Sequence, residues 1–226
     1  MIKRSNLMVL GLLLILALGM FTTNSILKKE YLKIDLTDTF KNYTSVNKET
    51  YKVLHISGSN GYPIDIIEKP EHTIKVLRSR QKHFKSDLRK DTLFVVFTGA
   101  NISQKQAFMT DTPSGIIVES NTINTVIANN TNTRITGFSQ RDLKLILEGN
   151  SLTKVFNCTM ETLAIAAKDN SQFEFSRNNT IDSLYIEMSN NSVGAFEEVN
   201  FSALHHSLKD SVRLVLSKEV VQTMMR

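Results

Sequence analysis

Leu143, Leu163, Leu184 and Leu204 stand 20, 21 and 20 residues apart, and each opens the same kind of run. The runs are Leu143-Lys144-Leu145-Ile146-Leu147, Leu163-Ala164-Ile165-Ala166-Ala167, Leu184-Tyr185-Ile186-Glu187-Met188 and Leu204-His205-His206-Ser207-Leu208. Alternation with period two marks a strand with one buried face. A polar pair begins six or seven positions after each leading leucine: Asn150-Ser151, Asn170-Ser171, Asn191-Ser192 and Asp210-Ser211. Alternation alone fits any β fold. A spacing held near twenty, with one turn type at one offset, points to the rungs of a coil of parallel strands.

Such a coil makes three interior columns from these runs. The first is Leu143, Leu163, Leu184 and Leu204; the second is Leu145, Ile165, Ile186 and His206; the third is Leu147, Ala167, Met188 and Leu208. His206 alone breaks the apolar rule, and it is expected to be satisfied or partly buried rather than a ligand. The Asn-Ser pairs have a physical reason at the corners. Asparagine tolerates the left-handed conformation and bonds its own backbone two residues on. Stacked corners can also bond one another along the coil. The repeated pair therefore reads as scaffold rather than as a binding loop. Weaker rungs are expected at Gly115–Ser120, Thr125–Asn129 and Thr133–Phe138.

The N-terminus is of a different kind. Lys3 and Arg4 precede fifteen residues without a charge, Leu7–Phe21. That core spans roughly 22 Å as a helix, and extension to Leu27 reaches roughly 31 Å, about one bilayer core. A basic start, an apolar core and small residues after it are the layout of an export signal. Residues 1–27 thus fit a signal peptide or a signal anchor. The chain beyond residue 27 is exported, to the periplasm if the helix is kept in the inner membrane. Residues 28–50 read as a tether and 51–226 as the β domain, ending in a short helix at Lys218–Met225. Roughly 200 exported residues are enough for one well-buried domain. The one cysteine, Cys158, makes no internal disulfide and is expected to pack as a small hydrophobe.

The stretch from Tyr51 to Phe97 supplies further strands, at Tyr51–Ile56, Ile64–Ile67, Thr73–Leu77 and Thr92–Phe97, punctuated by Gly, Pro and Asp. These read as hairpins that cap the coil. The net charge of +5 is concentrated near them, with eight Lys/Arg in residues 69–90. Lys75, Arg78, Arg80 and Lys82 are candidate contacts for a polyanion such as an acidic glycan. No aromatic interleaving accompanies them, and export argues against nucleic acid. The bland reading is a solvated outer face of a hairpin and its loop.

These features resemble the head GIN domain, an auto-transporter adhesin head common in Bacteroidota envelope proteins. The resemblance rests on Val53-Leu54-His55 running into Ile56-Ser57-Gly58-Ser59, on Ile64-Asp65-Ile66-Ile67, on Ile74-Lys75-Val76 and on Asp91-Thr92-Leu93-Phe94-Val95. It continues in the rungs ending Gly149-Asn150-Ser151, where most of the family's rung glycines are replaced by Asn or Asp. It covers about Tyr51–Leu216. It implies an all-β, three-sided right-handed parallel β-helix with an N-terminal β-hairpin cap, and it brings no catalytic residues with it.

The chemistry-bearing residues form no catalytic motif. His205 and His206 point to opposite faces of a strand and cannot share one ion. Glu148, Asp169, Glu174, Glu187 and Asp210 are scattered, without the base and neutralising group that polysaccharide cleavage needs. The expectation is a non-catalytic, envelope-associated structural or adhesive protein without a cofactor; a polysaccharide-processing β-helix enzyme is the alternative.

Overall fold

A computed structural model describes residues 4–33, 39–58, 63–97, 114–176, 178–197, 199–218 and 220–221. The chain divides into two compact units, Met1–Asn42 and Tyr43–Arg226.

The first unit contains α1 (Arg4–Leu32), a helix of 29 residues, or roughly 43 Å. Its segment Met8–Leu32 has mean hydropathy 2.0 and is long and apolar enough to cross a membrane. Its apolar side chains point outward on every side of the helix. The polar residues after the apolar core are accommodated within the helix. Thr22, Thr23 and Ser25 donate their hydroxyls to carbonyls one turn back, at 2.8–3.0 Å. A hydroxyl satisfied in this way is tolerated in an apolar surrounding. The helix continues past residue 27 through five residues assigned to the tether, and Tyr43–Asn47 near the tether's far end is a strand.

The second unit is a β-solenoid of about four regular turns with additional strands at one end. In chain order its strands are β1 (Tyr43–Asn47), β2 (Val53–Gly58), β3 (Ile64–Ile67), β4 (Thr73–Leu77), β5 (Phe84–Arg89), β6 (Thr92–Phe97), β7 (Ile116–Glu119), β8 (Thr125–Asn129) and β9 (Asn132–Thr136). The regular turns come next, as β10 (Ser139–Glu148) with β11 (Leu152–Phe156), β12 (Thr159–Ala167) with β13 (Gln172–Ser176), β14 (Asn179–Met188) with β15 (Val193–Phe196), and β16 (Val199–Leu208) with β17 (Arg213–Leu216). One sheet runs β1-β4-β7-β3-β9-β11-β13-β15-β17, and the other β16-β14-β12-β10-β8-β2-β6-β5. In each long strand the pairing skips one position, between Gln140↔Met160 and Asp142↔Thr162 and at the matching places on the next rungs. The skip divides the long strand into two limbs, so each turn has three strand segments joined by corners.

Spatial order departs from chain order at the start. The turn β2–β3 lies between β6–β7 on one side and β8–β9 on the other, all parallel. The runs at Tyr51–Ile56 and Ile64–Ile67 are therefore rungs, not cap hairpins, while Thr92–Phe97 is both a rung beside β2 and one strand of a hairpin with β5. The end is closed by antiparallel strands: β4 on β7, β1 on β4, and β5 on β6. Antiparallel edge strands, of which β5 carries Lys85, Asp87 and Arg89, stop further parallel addition.

The columns obey the registers. Leu143, Leu163 and Leu184 align, as do Leu145, Ile165 and Ile186, and Leu147, Ala167 and Met188; all are buried. The last rung differs. His206 stands in register with Ile186 but is exposed, Leu208 is 40% exposed and Leu204 is half-buried. No further rung lies over them among the described residues, so interior register does not bring burial there. Val220 is buried in the core; of the expected terminal helix Lys218–Met225, residues 219 and 222–225 lie outside the described residues.

Inside the other sheet, Phe173, Phe175 and Phe196 pack ring on ring at 5.0–6.2 Å. Gly194 lies beside Phe173 in register, and a Cβ there would meet the Phe173 ring at 2.2 Å. The large ring on one rung demands the smallest residue on the next.

The corners account for the repeated asparagines. Asn130, Gly149, Asp169 and Asn190 have φ of 51°, 62°, 58° and 54°, and Asn170 and Asn191 have 65° and 61°. Corner side chains bond along the stack: Asn190 Nδ2 donates to Asp169 Oδ1 at 2.8 Å, and Asn150 N donates to Asn130 Oδ1 at 3.2 Å. Ser151, Ser171 and Ser192 turn inward, while Ser211 on the last turn is exposed. Ser151 is buried, donates to Glu148 O at 2.6 Å and receives Thr131 N at 3.3 Å. A second corner column, Gly137, Asn157 and Asn178, also has positive φ, at 78°, 52° and 57°. There the fully buried Asn179 holds the neighbouring rung, donating to Val155 O and Ser176 O and accepting Cys158 N at 3.0 Å.

Candidate contact surfaces

The basic residues sit at the closed end of the solenoid. Lys75 is on β4, and Arg78, Arg80 and Lys82 are on the 3-10 segment Arg78–His83, which carries the chain from one sheet to the other. They are not equivalent. Lys75 donates to Glu119 at 2.7 Å, and Lys69 reaches the same oxygen at 2.9 Å. Glu119 is 3% exposed. Burial pushes its carboxyl up, but the two ammonium groups outweigh that and hold it below the ordinary value. Lys75 is thus a counter-ion of the fold. Arg78 and Lys82 are exposed and Arg80 is half-buried. Exposed basic side chains at this end include Arg78 and Lys82, with Lys85, Arg89 and Lys90 nearby in sequence, Arg89 being paired with Asp87.

The outer face of the β11 sheet carries ion pairs across rungs. Arg134 pairs with Asp65, whose carboxylate also accepts Ser114 Oγ, and Lys154 pairs with Glu174 at 2.8 Å. Three more of the carboxylates weighed from the sequence are also engaged across rungs, two by lysines and one by an asparagine. Glu148 pairs with Lys168 at 3.0 Å, Glu187 with Lys209 at 3.5 Å, and Asp169 accepts from Asn190. The hydrogen bond from Lys168 to Glu148 raises the lysine's pKa. Pairs this open to solvent are worth little singly; what they share is that each links one rung to the next. Cys158 is fully buried, and burial pushes its thiol up to about 11, so it is an inert packing group.

The outer face of the β12 sheet has a different texture. Facing outward in register are Lys144, Ala164, Tyr185 and His205, and beside them Ile146, Ala166, Glu187 and Ser207. Tyr185 is 46% exposed, and its ring lies parallel to that of His205 at 12° and 4.7 Å. The two alanines leave a hollow of about 390 Å³ bordered by Lys144, Tyr185, Glu187 and the β16 residues. Nothing in the sequence periodicity marked this place; the signal was the pair of alanines in one outward row, visible only once the rungs were in register.

No protein-family model and no curated protein sequence matches the chain. Solved structures match it in fold. A "putative adhesin" from Parabacteroides distasonis ATCC 8503 superposes with a TM-score of 0.57 at 12% identity, covering 77% of this chain and 74% of that one. A "putative adhesin" from Parabacteroides merdae ATCC 43184 gives 0.44 at 11% identity, covering 78% of this chain and 95% of that one. A "putative lipid binding protein" from Parabacteroides distasonis gives 0.38 at 11% identity, covering 79% and 98%. The likeness to the first of these, at 12% identity, is one of fold alone, and it agrees with the β-helix that the sequence led us to expect.

Proposed function

We propose that this chain is an exported, non-catalytic β-solenoid of the cell envelope, adhesive or structural, held to the inner membrane by α1 with its coil in the periplasm. The observation that carries this reading is that one chain joins a membrane-type helix to a solenoid several of whose outer carboxylates are bonded rung to rung. Glu148, Glu174 and Glu187 each serve a neighbouring lysine. A carboxylate held by a lysine next to it in the ladder is a register pin, not a free base. The adhesin name borne by the Parabacteroides distasonis structure of similar fold points the same way.

The contact assigned to this role is many-point and charge-assisted, with acidic glycan or other anionic envelope material as partner. Its first candidate is the closed end, through Arg78, Arg80 and Lys82. The test uses the full chain in detergent with an immobilised acidic polysaccharide. Binding is expected to weaken steeply between low salt and ~0.5 M, where screening shortens to a few ångströms. Reversal of Arg78 and Lys82 to Glu is expected to weaken it further without lowering the melting temperature. Shortening of the polysaccharide on incubation with the chain would overturn this reading in favour of the polysaccharide-processing enzyme. Binding indifferent to both salt and the reversal would remove the closed end as the contact.

A further inference from the structure

Tyr185, Ala164 and Lys144 occupy one outward column on three successive rungs. One face of the Tyr185 ring is covered by His205 at 4.7 Å. By register, the position on the other side of Tyr185 is Ala164. Two rungs span roughly 9.6 Å, so Tyr185 and Lys144 stand that far apart with only a methyl group between them. A saturated six-membered ring in van der Waals contact on both faces needs roughly 7–8 Å. The gap is one rung residue wide, and a flat ring fits it where an alanine stands in place of a larger side chain.

The charges around the slot are specific. Along this half of the coil Arg141, Lys154, Lys168 and Lys209 each face a carboxylate. Lys144 is exposed and makes no ion pair among the described residues; its neighbours in register are Thr125 and Ala164. On the other wall Glu187 stands over Ala166, already bonded to Lys209. A ligand here meets one unpaired cation, one carboxylate and one bare aromatic face. Polyphosphates carry too much negative charge for a slot with Glu187 on its wall. A wholly apolar ring would leave Lys144 unanswered.

We propose that the slot over Ala164 and Ala166 binds an acidic sugar, a pyranose ring bearing one carboxylate. The ring stacks its C–H face on Tyr185, its carboxylate accepts from Lys144 Nζ, and a ring hydroxyl donates to Glu187. Aromatic stacking with charge pairing at an exposed site gives weak binding per residue, and a polymer running along the outer face gains by repetition. This is a site on the lateral face, separate from the closed end.

The experiment measures binding of a galacturonic acid tetramer to the full chain in detergent by saturation-transfer NMR and titration calorimetry. The same tetramer with its carboxyls reduced serves as the neutral control. Ala164→Leu fills the slot on the solvent side and is checked by its melting temperature; Tyr185→Ala and Lys144→Ala remove one wall each. The expected result is at least tenfold weaker binding in Ala164→Leu and Tyr185→Ala. Lys144→Ala should bind the acid no better than the wild type binds the neutral tetramer. Full affinity in Ala164→Leu, equal affinity for acid and neutral tetramers, or no detectable binding would overturn the proposal. Binding lost on reversing Arg78 and Lys82 but kept in the slot variants would also overturn it, while leaving the closed end as the contact.

Discussion

Ile186 and Glu187 are neighbours in the chain and opposites in environment: one is 3% exposed inside the coil, the other faces solvent. Ile186→Asp places a carboxylate among Ile165, Leu184 and Met188, which costs several kcal/mol or forces its protonation. Glu187→Lys is expected to cost under about 0.5 kcal/mol. Urea melts of the two variants check the column assignment, which fails if both are equally tolerated. Glu119 gives a pH signature. Its folded pKa is lowered, so the stabilisation is fully present at neutral pH and is lost as pH falls from the ordinary carboxylate value through the lowered one. The melting temperature should therefore drop in acid, and Glu119→Gln should drop less over that window. An equal slope in both proteins would mean that the Lys75–Glu119 contact is not formed in solution.

At the scale of the element, the corners and the aromatic stack make sharper demands than the strands. Gly194→Ala drives a methyl into the Phe173 ring, and overpacking of this kind costs about 1–3 kcal/mol. Asn179→Leu strands three backbone groups of the chain around it and is expected to cost at least about 2 kcal/mol, read by chemical denaturation. A Gly194→Ala variant as stable as the parent would mean that the Phe173 ring has another place to go. The regular rungs were legible in the sequence because burial on one face forces alternation, and a coil of constant circumference forces constant spacing. The corner asparagines were legible because few residues accept positive φ. Strand β5, Phe-Lys-Ser-Asp-Leu-Arg, was not, since an edge strand half in water keeps only a weak alternation. His206 was misjudged for a similar reason: column position predicts burial only where a next rung exists. The slot over Ala164 was illegible, because small outward residues carry no pattern until the registers align them.

For the whole molecule, stability should be graded along the coil. Turns with neighbours on both sides are held twice, and the last turn once. Hydrogen exchange is expected to be slowest in β10 and β12 and faster in β16 and β17; uniform protection would contradict a nearest-neighbour solenoid. Retention of α1 has its own readout. A peptide beginning at Met1, recovered by mass spectrometry from the membrane fraction, identifies an anchor, and a start near Met20 or Ile26 identifies a cleaved signal.

The placement of β2–β3 between β6–β7 and β8–β9 has a consequence for how the chain is made. A chain crossing a membrane from its N-terminus delivers residues in order, so the first turn to emerge has two raw edges rather than one. Growth must proceed outward from this seed, first on one side through residue 119 and then on the other through residue 136. Only after the early side is sealed by antiparallel strands does every later turn have a single place to add. The direction of winding is thus decided before the regular repeat has emerged, and a pause at residue 97 would expose an unpaired β2 edge to a second nascent copy.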